Sequence, residues 1–168
     1  MFNDIFSETT MIELQTLLRA NNQTITTAES CTGGLVASMI TKISGSSDIF
    51  NGSIVTYSNK IKNQELNVKN ETLEQFGAVS IEVVNEMLNG VISKFDANFA
   101  IAISGIAGPN GGTKNKPVGT VVIGISDSNN HKIVNIYNFK GSREDIQIQA
   151  AKVALREIYK FVQNSLDK

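Results

Sequence analysis

Residues 98–104 read Asn-Phe-Ala-Ile-Ala-Ile-Ser, a short and continuous apolar run. A run of this kind, without alternation, predicts a strand buried on both faces, so the rest of the chain has to supply cover above and below it. Helical cover is legible directly upstream. Ser80 stands at a capping position before Ile81, Val84, Leu88, Val91, Ile92 and Phe95, which recur at helical spacing. Downstream, 118–126 and 132–139 flank an Asp-Ser-Asn-Asn turn and predict an antiparallel hairpin.

The same reading extends to both ends. Thr10 with Glu13 forms a capping-box pattern, opening a helix that buries Met11, Leu14, Leu17 and Leu18 and stops at Asn21–Asn22. Residues 24–28 predict a strand, 33–43 a helix and 50–57 a second strand. Short helices are expected over 59–66 and 70–76. Ser142 with Asp145 starts a last helix that turns Ala151, Ala154, Leu155, Ile158 and Val162 inward. The order predicts an α/β fold, a mixed sheet covered by helices in α/β/α layers. With 168 residues, no internal repeat and no linker, residues 1–168 are expected to form a single domain.

Composition narrows the function. A net charge of −1 offers no basic field for nucleic acid or anionic lipid. No window approaches the ~18 consecutive apolar residues of a membrane span. The N-terminus, MFNDIFSETTMIEL, lacks a basic stretch followed by a long apolar run, so no signal peptide is expected and the cytoplasm is the expected compartment. Cys31 and His131 are the single cysteine and the single histidine, which rules out an internal disulfide and a His/Cys metal cluster within one chain. Any Ser-His-Asp triad would also have to run through His131.

Three polar clusters sit where predicted strands end. In the first, Ala28-Glu29-Ser30-Cys31-Thr32-Gly33-Gly34, a serine between a strand and a helix start is well placed as a nucleophile. Unpaired amides near Thr32, Gly33 and Gly34 could hold an oxyanion there. The same residues also serve as ordinary caps and a tight turn. Cys31 is a rival nucleophile without a histidine near it in sequence. The second cluster, Tyr57-Ser58-Asn59-Lys60-Ile61-Lys62, offers two lysines, either of which could become a base in a dry site. Both also read as surface lysines of a helix start. The third, running from Ser104 through Gly105, Ala107 and Gly108 to Thr113, is glycine-rich. It lets backbone amides approach a ligand and fits neither the Walker nor the Rossmann pattern. Gly141-Ser142-Arg143 places a guanidinium at a helix N-terminus, which suits a phosphate.

Read together, AESCTGG, the spaced TYSNxxK, GAVS, ISGIAGPNGG with KPVGTV, and G-x-R before the final helix resemble the CinA C-terminal family, from about Met11 to Phe161. Members of stand-alone length resemble nicotinamide-nucleotide amidases. The resemblance implies a nucleophile at Ser30, a base at Lys62 and not Lys60, and a positioning role for Tyr57. It places Gly105 to Pro109, with Ser104 and Thr113, around a nucleotide, and it sets Arg143 against the 5′-phosphate. A second arginine, frequent in the family four residues further on, is Gln147 here. The implied reaction is hydrolysis of the carboxamide of nicotinamide mononucleotide to nicotinic acid mononucleotide and ammonia, with no cofactor and no metal. The implied partner is a small nucleotide, and self-association is left open. The alternatives are a non-catalytic nucleotide-binding module and an amidase acting on a related substrate.

Overall fold

The buried run at the centre of the sequence is the centre of the sheet. In the computed structural model, which describes residues 1–167, Phe99–Gly105 forms strand β3. Five strands lie in the order β2-β1-β3-β4-β5, with β1 at Ile25–Glu29, β2 at Ile54–Val55, β4 at Thr120–Asp127 and β5 at Lys132–Asn138. β1 runs parallel to both β2 and β3, whereas β3, β4 and β5 are successively antiparallel. The expected mixed sheet is present.

Side-chain alternation on β3 separates the two helical layers. Phe99, Ile101 and Ile103 face α1 (Glu8–Ala20), α2 (Leu35–Thr41) and α6 (Arg143–Leu166). Ala100 and Ala102 face α5 (Ile81–Phe95), which is backed by α3 (Asn59–Leu66) and α4 (Asn70–Phe76). The small residues let α5 lie close. A Cβ at Gly124 of β4 would stand 2.6 Å from Val84 and 2.8 Å from Leu88. Val84, Met87, Leu88 and Val91 of α5 are wholly buried. Each such side chain contributes about 1.5–3 kcal/mol by leaving water, which is why this helix was legible from spacing alone.

Boundaries shifted where local signals competed. Ser7, not Thr10, caps α1, its hydroxyl accepting from the Thr10 amide. The helix expected over 33–43 is shorter, because Gly33 and Gly34 adopt positive φ and form a turn before Leu35. The strand expected over 50–57 narrows to two residues. At the sheet edge only Ile54 and Val55 pair, with Ala28 and Glu29, while Phe50 makes an isolated bridge to Ile25. Ser80 caps α5 as expected, and Ser142 with Asp145 forms a reciprocal capping box on α6. Among the described residues, no helix is long and apolar enough to cross a membrane.

Candidate active site

β1 and β3 are adjacent and parallel, so the segments that follow them emerge side by side at one end of the sheet. A cavity of about 270 Å³ opens there. Ser30 and Cys31 enter it from the end of β1, and Ser104 to Gly108 from the end of β3. Tyr57, Asn59 and Lys62 reach it from the segment after β2, and Arg143 from the start of α6.

Ser30 and Lys62, thirty-two residues apart, meet at its base. Lys62 Nζ lies 3.1 Å from Ser30 Oγ and donates to the Thr56 carbonyl at 2.9 Å. Ser58 caps α3, and the helix then turns Lys62 inward until the side chain is 1% exposed. Burial pulls its pKa from 10.5 down to about 8. Lys60, two residues earlier and thus on a different face of the helix, is exposed. Cys31 also lines the cavity, but burial pushes its thiol up to about 12, so it stays protonated near neutrality.

The turn that carries Ser30 is built on a buried carboxylate that sequence reasoning passed over. Glu29 is fully buried. It accepts from Thr32 Oγ1 at 2.7 Å, from the amides of Val36 and Ala37 at 2.9 and 3.0 Å, and from Thr27 Oγ1 at 3.2 Å. The Thr32 hydroxyl is thus engaged by the Glu29 carboxyl, and the Gly33 amide donates back to the Ser30 carbonyl. Thr32, Gly33 and Gly34 do not line the cavity. Thr113 also lies outside it, exposed, with its hydroxyl accepting from the Lys116 amide. The Glu29 carboxyl meets the Val36 and Ala37 amides only because α2 folds back against the end of β1.

Arg143 spans the mouth. It donates to the Gly108 carbonyl at 2.7 Å and to the Tyr57 hydroxyl at 2.9 Å. Gly108 has φ +79°, and a Cβ there would collide with Val118, so glycine is required where the loop meets the arginine. At the foot of α6 the capping box engages the Ser142 and Asp145 amides, and the Arg143 guanidinium at the same helix start is a group suited to an anion. Ser104 is buried and donates to the Ala78 carbonyl at 2.8 Å, joining the end of β3 to the segment before α5. Asn59 and Asn110 also line the cavity. Asn59 lay within a quoted motif, but nothing marked it as a lining residue.

Fold and site define a three-layer α/β protein with a buried Ser-Lys contact at the strand ends and an arginine at the rim. The CinA C-terminal domain model matches residues 7–162, and the chain belongs to that family. It is 57% identical over 137 residues to a CinA-like protein of Prochlorococcus marinus strain MIT 9312, covering 81% of this chain and 32% of that protein. The chain thus spans about a third of that relative's length. It is also 46% identical over 153 residues to the nicotinamide-nucleotide amidohydrolase PncC of Enterobacter agglomerans, covering 89% of this chain and 93% of that one. In three dimensions it is similar to the competence/damage inducible protein CihA of Agrobacterium tumefaciens. That match has a TM-score of 0.89 and 35% identity, covering 96% of this chain and 95% of the other.

Proposed function

We propose that this chain is a serine amidohydrolase that converts nicotinamide mononucleotide and water to nicotinic acid mononucleotide and ammonia. The observation that carries the reading is the 3.1 Å contact between Ser30 Oγ and a buried Lys62 Nζ whose pKa is drawn down to about 8. An amine in that range is partly neutral near physiological pH and can take a proton from serine.

In the neutral state the contact runs in the opposite sense, with the serine O–H donating to the amine. Ser30 Oγ attacks the carboxamide carbon as its proton passes to Lys62 Nζ. The tetrahedral intermediate collapses when Lys62 returns a proton to the amide nitrogen. The C–N bond breaks, ammonia leaves and an ester to Ser30 remains. Water then attacks that ester, giving a proton to Lys62, which passes it to Ser30 Oγ as the C–O bond breaks and nicotinic acid mononucleotide leaves. The Thr56 carbonyl steadies the lysine in both protonation states. The oxyanion donors in this reading are backbone amides of the turn that carries Ser30. Arg143 faces the 5′-phosphate at the rim. The name carried by the Enterobacter agglomerans relative supports the substrate.

The test is ammonia release from nicotinamide mononucleotide, nicotinamide riboside and NAD by wild type, Ser30→Ala and Cys31→Ala. The expected result is turnover of the mononucleotide, abolished by Ser30→Ala and largely kept by Cys31→Ala. Mononucleotide binding without ammonia release would establish a binding module instead. Loss in the cysteine variant with retention in the serine variant would reassign the nucleophile.

A further inference from the structure

Ser30 has a hydroxyl neighbour on each side. Its amide donates to the Ile103 carbonyl, and the Glu29 carbonyl accepts from the Thr56 amide. Glu29 is in register with Ile103 and with Val55, so these bonds carry both parallel ladders one residue further. Thr56, Ser30 and Ser104 thus stand in one row across the ends of β2, β1 and β3. Each lies two residues after one that packs on the α5 side, namely Ile54, Ala28 and Ala102. Side-chain alternation therefore turns all three hydroxyls to that side. Ser104 flanks Ser30 at the spacing of adjacent strands, about 4.8 Å between backbones. Of the two flanking residues, Ser104 is the one that lines the cavity.

The proton of Ser104 is already committed. Its Oγ donates to the Ala78 carbonyl at 2.8 Å, and among the described residues no other donor reaches that carbonyl. Rotating the hydroxyl away would leave the carbonyl unpaired, which opposes the rotation. Ser104 therefore offers the cavity lone pairs and no donor. Among the described residues, no protein donor occupies those lone pairs.

We propose that Ser104 accepts an N–H of the scissile carboxamide and so makes the site select an amide over an acid, an inference that rests on the amidohydrolase reading above. The carbonyl oxygen lies on the amides of the Ser30 turn and its carbon over Ser30 Oγ. The NH2 group then reaches toward the neighbouring strand end, where Ser104 stands. A carboxamide nitrogen has protons to give, whereas both oxygens of a carboxylate only accept. The product would set an oxygen against the Ser104 lone pairs, so the contact that orients the substrate also helps to expel the product. An ester, with no N–H, gains nothing from Ser104.

The test compares wild type and Ser104→Ala on nicotinamide mononucleotide and on the methyl ester of nicotinic acid mononucleotide. Assays run at about pH 9, where Lys62 is mostly neutral and does not attract the product carboxylate. Ser104→Ala should lower kcat/KM for the amide about three- to tenfold and leave the ester within about twofold. Inhibition by nicotinic acid mononucleotide should tighten at least about threefold. Should the alanine variant fail to fold, Ser104→Cys, similar in size but a poor acceptor, carries the same comparison. Equal losses on amide and ester, or unchanged product inhibition, overturn the inference and leave the amidohydrolase reading standing. A wild type that releases no ammonia from the mononucleotide overturns that reading, and this inference with it.

Discussion

Gln147 Nε2 donates a 2.9 Å hydrogen bond to the carbonyl of Cys31, tying the last helix to the turn that carries Ser30. Gln147 lies one helical turn after Arg143, so a single face of α6 supplies both the rim guanidinium and a strut for the nucleophile turn. The position where the family resemblance pointed to a second arginine is thus occupied by a group with an internal partner. Gln147→Ala should lower kcat about three- to tenfold with little change in KM, the effect of losing one hydrogen bond that positions the serine. Gln147→Glu, similar in size but without the donor, should fall at least as far. A rise in KM at constant kcat would show that Gln147 contacts substrate instead.

The pH dependence follows from Lys62. The amine has to be neutral to accept the serine proton, so kcat/KM should rise about tenfold per pH unit below about 8 and level off above it. Lys62→Arg should be inactive throughout, because a guanidinium does not deprotonate in this range. Stability follows the same group with a definite sign. The folded pKa lies below the unfolded 10.5, so the unfolded chain binds more protons between about 8 and 10.5, and folding gains as pH rises through that window. Denaturant melts of wild type against Lys62→Met should show a relative gain of about 3 kcal/mol across it. A flat difference would mean that the lysine is not desolvated as the geometry requires.

Arg143 and Tyr57 should separate cleanly by substrate. Arg143→Ala should cost about 1.5–3 kcal/mol, mainly as a higher KM for the mononucleotide, and leave the riboside almost unaffected. Tyr57→Phe removes the hydroxyl that accepts from the guanidinium and should give a smaller change in the same direction. Equal fractional losses of kcat/KM on both substrates would exclude Arg143 as the phosphate contact.

Glu29 should behave as a structural anion. Glu29→Ala strips the acceptor from the Val36 and Ala37 amides and from Thr32 and should destabilise the chain by about 2–4 kcal/mol in urea melts. Glu29→Gln, which keeps one carbonyl acceptor, should recover part of the loss. A fully stable alanine variant would show that the cap contributes nothing.

The amino-acid sequence alone determined the elements whose signals are local. The spacing of Val84, Leu88 and Val91 specified α5, the Ser142–Asp145 box opened α6, and the unbroken run at 98–104 marked the central strand, because capping and amphipathic burial act within a few residues. It also placed Ser30 and Lys62 next to strand ends, but from the residues themselves Lys60 and Lys62 stood equal, and only resemblance to relatives preferred one. What the tertiary structure decided was burial and partnership across long separations. It turned Lys62 into the cavity and Lys60 out of it, and cut β2 to the two residues that reach β1. It also brought the Glu29 carboxyl onto the Val36 and Ala37 amides at the start of α2. A side chain's desolvation and hydrogen-bond partners are set by neighbours distant in sequence, so they exist only once the sheet has assembled and its loops have met.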